Sequence, residues 1–314
     1  MSRRVLVTGG AGFIGSHLSR ALVARGDTVR VLDDLSSGKR ENLAELEGRL
    51  ELIEGSILDE RAVKQAMEGV DSVFHLAAIP SVPRSIAQPL SSHAVNADGT
   101  LQLLEAARAQ KVRRFVYAGS SSAYGETPTL PKVESMAVQP LSPYAVAKLT
   151  GEQYCQVYTR VFGLETVVLR YFNVFGPRQD PKSEYAAVLP RFITAALEGR
   201  APVIYGDGTQ SRDFCYVDNV VEANLLAADA RGEASGQVFN IACGQAVDLN
   251  QVVRIIGETL GLRLTARHEP ARVGDIKHSL ADISRARSLL GYVGPVSFVE
   301  GLARTIDWFK RRAS

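Results

Sequence analysis

Short runs of β-branched and other apolar residues alternate along the chain with longer stretches in which apolar residues recur every three to four positions. The first pattern predicts strands and the second helices. Strands are expected over 3–8, 28–33, 50–54, 72–76, 114–118 and 166–170, with helices over 13–24, 59–67, 94–109 and 143–162 between them. These strands carry almost no polar positions, which implies burial on both faces, as in a parallel sheet wrapped by helices. After Arg170 the rhythm loosens. The segment 173–183 is rich in Gly, Pro and charge and predicts a loop at a boundary. Further helices are expected over 188–198, 218–230, 249–260, 283–290 and 299–311. The fold expected is α/β: a doubly wound parallel sheet over 1–173, then a smaller C-terminal α/β substrate domain over 174–314, some of whose segments return to the first.

Composition excludes several classes. Of 314 residues 46% are apolar and 22% charged, values of a folded globular chain rather than a disordered, collagen-like or coiled-coil one. Lys plus Arg is 36 against 34 for Asp plus Glu, so a net charge of +2 supplies no broad field for nucleic acid or anionic lipid. Cys155, Cys215 and Cys243 are widely spaced without a CxxC pair, which fits a reducing cytosol. No apolar run reaches the ~18 residues that span a bilayer, and Met1-Ser-Arg-Arg passes into Val5-Leu-Val without a signal-type apolar core. A cytoplasmic protein without membrane or nucleic-acid partners is expected. His17, His75, His93, His268 and His278 show no metal-ligand spacing such as HExxH.

The first expected strand runs into Thr8-Gly9-Gly10-Ala11-Gly12-Phe13-Ile14-Gly15, a GxxGxxG set opening directly onto a helix. Gly9 suits a tight turn, Gly12 lets backbone approach a pyrophosphate, Gly15 allows close helix packing, and the helix N-terminus stabilises the anion. The second strand ends in Asp33, 24 residues after Gly9, near the ~20 expected for an acid that bonds a ribose 2′-OH. Together they point to a Rossmann-type dinucleotide site with NAD as cofactor. A carboxylate here repels a 2′-phosphate, although nearby Lys39 and Arg40 leave NADP open.

Tyr144 and Lys148 lie four residues apart at the start of an expected long helix and share one face. That spacing alone is weak evidence. The preceding strand, however, ends in Ala118-Gly119-Ser120-Ser121-Ser122, at the carboxyl edge where open α/β sheets bind ligands. A free phenol has a pKa near ~10 and is a poor base at neutral pH. A lysine cation and a positive nicotinamide ring beside it favour the phenolate, and a serine hydroxyl can bond the reacting oxygen.

Thr8-Gly-Gly-Ala-Gly-Phe-Ile-Gly, His75-Leu-Ala-Ala, the serine cluster, Tyr144-Ala-Val-Ala-Lys148 and Arg170-Tyr-Phe-Asn173 occur in an order that resembles the extended short-chain dehydrogenases/reductases over nearly the whole chain. Within them the chain is most similar to the nucleotide-sugar 4-epimerases of the UDP-glucose and UDP-N-acetylglucosamine group. Ser81-Val-Pro-Arg84-Ser85-Ile and Asp213-Phe-Cys-Tyr-Val-Asp218-Asn resemble the N-acetylhexosamine branch. The resemblance implies Tyr144 as acid/base, Lys148 as its tuner and nicotinamide-ribose ligand, and Ser120 on the sugar 4-OH, with Ser121 and Ser122 close enough to leave the serine open. It implies NAD contacts from Gly9, Gly12, Phe13, Ile14, Gly15, Asp33, Ser56, Ile57, Leu76, Ala77, Ala78, Tyr144, Lys148 and Tyr171. Relatives carry Asp where Ser56 stands, so adenine would meet only a serine hydroxyl or backbone.

For the substrate, the resemblance implies Ser81 and Arg84 beside the sugar, and Asn173 and Arg212 on the diphosphate. Arg272 and Asp275 would hold phosphate and uridine ribose, and Val188, Leu189 and Tyr205 would line the uracil. Ser279 stands where a large Tyr accompanies exclusion of a 2-acetamido group. A homodimer through helices 94–109 and 143–162 is implied as well. Related dehydratases carry Asp-Glu after the catalytic hydroxyl residue, and related UDP-glucuronate decarboxylases a Glu at the second of those places; this chain has Ser121-Ser122. The function expected is therefore C4 epimerisation of a UDP-hexose, UDP-GlcNAc/UDP-GalNAc with UDP-Glc/UDP-Gal beside it. The alternatives are another nucleotide-sugar enzyme, such as a UDP-glucuronate epimerase, decarboxylase or dehydratase, or a non-catalytic NAD sensor.

Overall fold

The structure, a computed structural model, describes residues 3–181, 188–271 and 277–313. Its strands are β1 (Arg4–Thr8), β2 (Thr28–Asp33), β3 (Leu50–Glu54), β4 (Ser72–His75), β5 (Arg114–Ser120), β6 (Glu165–Tyr171), β7 (Val174–Phe175), β8 (Val203–Tyr205), β9 (Ser211–Asp213), β10 (Cys215–Tyr216), β11 (Gln237–Ile241), β12 (Ala246–Asp248) and β13 (Arg267–Glu269). The helices are α1 (Phe13–Ala24), α2 (Glu60–Met67), α3 (Val82–Ala87), α4 (Pro89–His93), α5 (Gly99–Ala109), α6 (Pro143–Phe162), α7 (Val188–Leu197), α8 (Val217–Asp229), α9 (Leu249–Leu260), α10 (Ser284–Leu290) and α11 (Phe298–Ala313).

Seven strands form one sheet in the order β11-β6-β5-β4-β1-β2-β3, and every pairing in it is parallel. Side chains alternate across it. Val5 and Val7 enter the core shared with α1 and α8, whereas Leu6 enters the opposite core with Leu103, Leu104 and Cys155 of α5 and α6. This is the two-sided burial that the apolar strand pattern demands. The edge strand β3 departs from it, leaving Glu51 and Glu54 exposed. A third core, around Phe175, Phe192, Phe214, Leu302 and Ile306, packs α7, α9 and α11 together. Among the described residues no helix is long and apolar enough to cross a membrane.

Several expectations change in detail. The helix expected over 94–109 opens with a π-helical turn, Ala94–Asp98, before α5. Thr100 Oγ1 donates to the Asn96 carbonyl at 2.8 Å, and the Asn96 side chain is tied to Ile79 N–H and C=O at 2.9 and 3.2 Å. The two Asn96–Ile79 bonds tie this turn to the segment after β4, and π-helical turns are frequent at functional sites. Helices α3 and α4 were not expected. Ser81 caps α3 by accepting from Arg84 N–H, and Pro89 restarts the chain as α4. Asp59 is a cap of α2 rather than its first residue, and 173–183 contains β7. Beyond residue 173, β11 and α8 return to the large sheet and its core.

The order reverses between β1 and β4, so the carboxyl ends of β1, β4 and β5 border the switch point where open α/β sheets bind ligands. The glycine turn fills it. Gly9 has φ +69°, a left-handed conformation that glycine adopts without strain, and a Cβ there would stand 2.7 Å from Ala77 N. A Cβ on Gly15 would overlap the Gly9 carbonyl oxygen. Gly15 therefore seats α1 on the turn itself rather than on the sheet. Gly15→Ala is expected to lower stability by ~1–3 kcal/mol through overpacking, read from urea midpoints. An unchanged midpoint would show that the turn yields freely.

Candidate active site

The turn continues as an open cradle. Gly9 N–H donates to Leu32 O at 2.8 Å and Gly12 N–H to Gly9 O at 3.1 Å. Gly12 caps α1 without a side-chain bond, and a Cβ on it would meet only Gly9 O, at 3.1 Å. Backbone is thus presented outward beside Phe13 and Ile14. Asp33 is buried at the end of β2; its Oδ2 accepts from Ala11 N–H and its Oδ1 from Leu35 N–H, both at 2.9 Å. Burial pushes its carboxyl up, and the two N–H bonds oppose that shift. Asp33 holds the glycine loop to β2 and keeps a lone pair on each oxygen for a ribose hydroxyl. The cations that left NADP open are engaged elsewhere: Lys39 pairs with Asp180 at 3.2 Å and Arg40 with Glu54. An uncapped helix start, a turn without Cβ atoms and a terminal carboxylate fit an NAD molecule.

Thr8 and His75 are partners across β1 and β4. Thr8 Oγ1 accepts from Ala77 N–H at 3.3 Å and lies 2.8 Å from His75 Nδ1; His75 Nε2 lies 2.9 Å from Thr100 Oγ1. Because Thr100 donates to Asn96 O, His75 donates through Nε2 and accepts from Thr8 at Nδ1. Burial, with Lys148 nearby, holds this imidazole neutral. The network fixes the segment Leu76-Ala77-Ala78 against the glycine turn. At the end of β3, Ser56 Oγ accepts from Leu58 N–H at 3.2 Å, while Ile57 is buried against Gly99 and stands in the core.

Helix α6 is started by Ser142, whose Oγ accepts from Ala145 N–H at 3.1 Å, with Pro143 in the first turn. Tyr144 follows, its N–H donating to the buried Ser85 Oγ at 3.0 Å. The Ser120 hydroxyl lies close enough to the Tyr144 phenol to act on its ionisation. Ser120 Oγ also lies 2.8 Å from Ser122 Oγ and accepts from Ser122 N–H at 3.2 Å. Ser121 opens the next 3₁₀ turn. Lys148, one helical turn after Tyr144, is buried with its Nζ 4.3 Å from the ring centre of Tyr117 on β5. Burial lowers Lys148 to about 7. Burial raises Tyr144, and the Ser120 hydroxyl opposes it. A phenol so placed needs positive charge beside it before it can act as a base.

Just past the end of β6, Asn173 has φ +31° and donates through Nδ2 to Asp213 O at 3.2 Å and Ser279 Oγ at 3.4 Å. Arg212 Nη1 donates to Ser211 O and Lys277 O at 3.0 and 3.1 Å, and Ser279 N–H donates to Ser211 O at 3.0 Å. Asn173, Arg212 and Ser279 are therefore neighbours. Asp213 braces them: its carboxylate accepts from Cys243, Gly244 and Ala281 N–H at 2.9, 3.0 and 3.2 Å, and burial lifts it to about 6.

The other expected residues are distributed around this region. The Leu189 side chain is buried in the third core, and Val188 begins α7 beside it. The Tyr171 hydroxyl is engaged with Asn224 of α8 at 2.8 and 3.1 Å, and burial raises its phenol. Tyr205 ends β8, its carbonyl accepting from Gln210 at 2.6 Å. Ser81 caps α3 and Arg84 is exposed on it. Arg272 and Asp275 lie outside the described residues. The sequence reading missed Tyr117 and Ser85. Period-two alternation along β5 could have set Tyr117 on the face that α6 covers, but nothing local marks Ser85.

The model of the NAD dependent epimerase/dehydratase family matches residues 5–242. The UDP-glucose 4-epimerase of Mycolicibacterium smegmatis is 40% identical, over 99% of each chain. The solved UDP-N-acetylglucosamine 4-epimerase of Methanobrevibacter ruminantium, in complex with UDP-N-acetylmuramic acid, is 42% identical over 99% of each chain, with a TM-score of 0.93. The UDP-glucose 4-epimerase of Thermus thermophilus, solved with NAD, is 37% identical over 98% of this chain and 99% of that one, with a TM-score of 0.89. With the glycine cradle, the buried Asp33 and the Ser–Tyr–Lys cluster at one sheet edge, these likenesses leave one assignment: the chain belongs to the NAD-dependent epimerase/dehydratase family, among the extended short-chain nucleotide-sugar enzymes.

Proposed function

We propose that the protein inverts C4 of a UDP-hexose, with UDP-GlcNAc/UDP-GalNAc as its main pair and UDP-Glc/UDP-Gal as a further pair. The observation that carries this reading is the placement of Ser120, at the end of β5, beside Tyr144 at the start of α6, with Lys148 one helical turn further on. Bound NAD supplies the two-electron acceptor and donor for C4. Tyr144 takes the proton of the sugar 4-OH and returns it at the end of the cycle. Lys148 in its charged form favours the phenolate that this step requires, and Ser120 bonds the reacting oxygen. Ser121 and Ser122 bring no carboxylate to this place, so the acid and base needed for eliminating water are not supplied there. Oxidation at C4 followed by reduction of the turned-over ketone is the chemistry left.

Asn173 and Arg212 would grip the diphosphate, Arg by the paired hydrogen bonds of its planar fork. An anchor there keeps the 4-keto sugar bound while it turns. Ser279, held beside Asn173, is small enough to leave room for a 2-acetamido group. The relatives named above include an acetylated and two unacetylated UDP-sugar epimerases, which agrees with a UDP-sugar 4-epimerase without choosing between the two pairs.

The assembly proposed is a homodimer. Val146, Val157 and Val161 form an exposed apolar stripe along α6, and Leu90 of α4 and Ile86 of α3 are 86% and 63% exposed. Apolar surface of this extent marks an interface. The three free cysteines fit a reducing, cytoplasmic setting.

Tyr144→Phe is expected to reduce kcat for interconversion of UDP-GlcNAc and UDP-GalNAc by ~10²–10⁴-fold, followed by NMR of the sugar anomeric signals; near-normal turnover would contradict the assigned base. Ser279→Tyr is expected to weaken kcat/KM for the acetylated pair at least ~10-fold more than for UDP-Glc/UDP-Gal, a difference of ~1.4 kcal/mol. Equal loss on both pairs would remove the gate. Light scattering at micromolar protein should give twice the 34.0 kDa chain mass; a monomer would contradict the helical interface.

A further inference from the structure

We propose that Tyr117 is the positioning residue of Lys148: its ring face carries the ammonium, and its hydroxyl fixes the helical turn from which the lysine extends. The inference rests on reading Lys148 as the tuner of Tyr144, but its own evidence is geometric. Lys148 Nζ stands 4.3 Å from the Tyr117 ring centre, inside the ~6 Å range of cation–π attraction. Tyr117 Oη donates to the Lys148 carbonyl at 3.1 Å, so one side chain holds both ends of the lysine. A Cβ on Gly151 would overlap that hydroxyl, which shows how closely α6 sits on β5 at this point. The ring is fully buried and tilted against His75 at 5.5 Å between centroids.

The surrounding charges explain why a ring face is used. From β4, His75 is neutral with both nitrogens engaged. On α6 itself, Tyr144 and Cys155 are neutral phenol and thiol, and burial raises both. Glu152, one turn after Lys148, is committed to Arg170 of β6 at 2.5 and 2.9 Å. Glu105 of α5 is committed to Arg108 and Tyr158. Asp98 of the π-turn is exposed and faces His93 of α4 at 3.7 Å, and Arg84 of α3 is exposed. The 3₁₀ turn after β5 offers only Tyr124, whose ring carries Arg170. Among the described residues, then, no carboxylate is paired with Lys148. Desolvation lowers its affinity for the proton, and the negative face of the Tyr117 ring works against that loss. A weaker face must lower the Lys148 pKa further, leaving less cation at neutral pH to favour the Tyr144 phenolate.

The test reads the lysine directly. Full-length protein as purified is labelled with lysine bearing carbon-13 at Cε, the Lys148 signal is assigned by its absence in Lys148→Met, and its titration is followed by NMR. Lys148 should titrate near 7. Tyr117→Phe keeps the ring face and should leave that midpoint within a few tenths of a pH unit. 3,4,5-Trifluorophenylalanine at position 117 keeps the shape but weakens the negative face, and should move the midpoint down by ~0.5–1 unit. Tyr117→Leu should move it at least as far where that variant folds; the fluorinated ring, close to isosteric, carries the test where it does not. An unchanged midpoint with the fluorinated ring overturns the proposal, as does an equal shift in Phe and Leu. Loss of the epimerase reading would instead show as absence of C4 inversion by the unaltered protein, whatever Lys148 does.

Discussion

A cation held in a dry seam is the constraint on which the rest of the site turns. Lys148 sits between α6 and the face of β5 with a pKa brought to about 7 by burial, and moving an ion out of water is costly unless something replaces the lost hydration. That cost is met by placement. The Tyr117 ring lies beneath the ammonium, and the α6 backbone is drawn onto β5 through the Tyr117 hydroxyl and the missing side chain of Gly151. Once α6 is set in this register, Tyr144 falls one turn earlier, where β5 ends in Ser120. Tyr144 and the Ser120 hydroxyl come together through the way α6 docks on β5.

The cofactor side follows from a similar economy of space. At the switch point, Gly9, Gly12 and Gly15 leave backbone where side chains would collide with Ala77 and with the turn itself. Asp33 ties that turn to β2, while the Thr8–His75–Thr100 chain of hydrogen bonds ties β1 to β4 and to the π-turn before α5. The same His75 leans on Tyr117. Hydrogen bonds thus run from Thr8 to the π-turn, giving both His75 nitrogens a partner, as buried polar groups require, and ring contacts lead on from His75 through Tyr117 to the lysine.

The inner strands and the long helices were legible because burial on both faces and helical periodicity are local properties of sequence. The glycine set, Asp33 and the Tyr144/Lys148 spacing were legible for the same reason. Elements of two to six residues, such as α3, α4 and β7–β10, carry too few positions to show a period. The return of β11 and α8 to the first sheet depends on pairing across more than 60 residues, Ile241 to Tyr171 for example, which no window of sequence contains. Asn173, Arg212 and Ser279 entered only through family resemblance, and the fold brings them together around Asp213. Leu189 and Tyr171 matched family motifs too, yet packing turns the first side chain and the second hydroxyl inward. Tyr117 reads in sequence as one more apolar strand residue. Its significance lies in what α6 lays upon it.

In the proposed reaction hydride leaves C4 and a proton leaves the 4-hydroxyl, and both return without the ketone leaving the protein. The most direct measurement uses UDP-GlcNAc carrying deuterium at C4, incubated with the protein and NAD in ordinary water and read by NMR and mass spectrometry. The account predicts UDP-GalNAc with deuterium retained at C4 and no net accumulation of reduced cofactor. Inverted product bearing ordinary hydrogen at C4, or release of a keto, decarboxylated or dehydrated sugar in place of inversion, would contradict it.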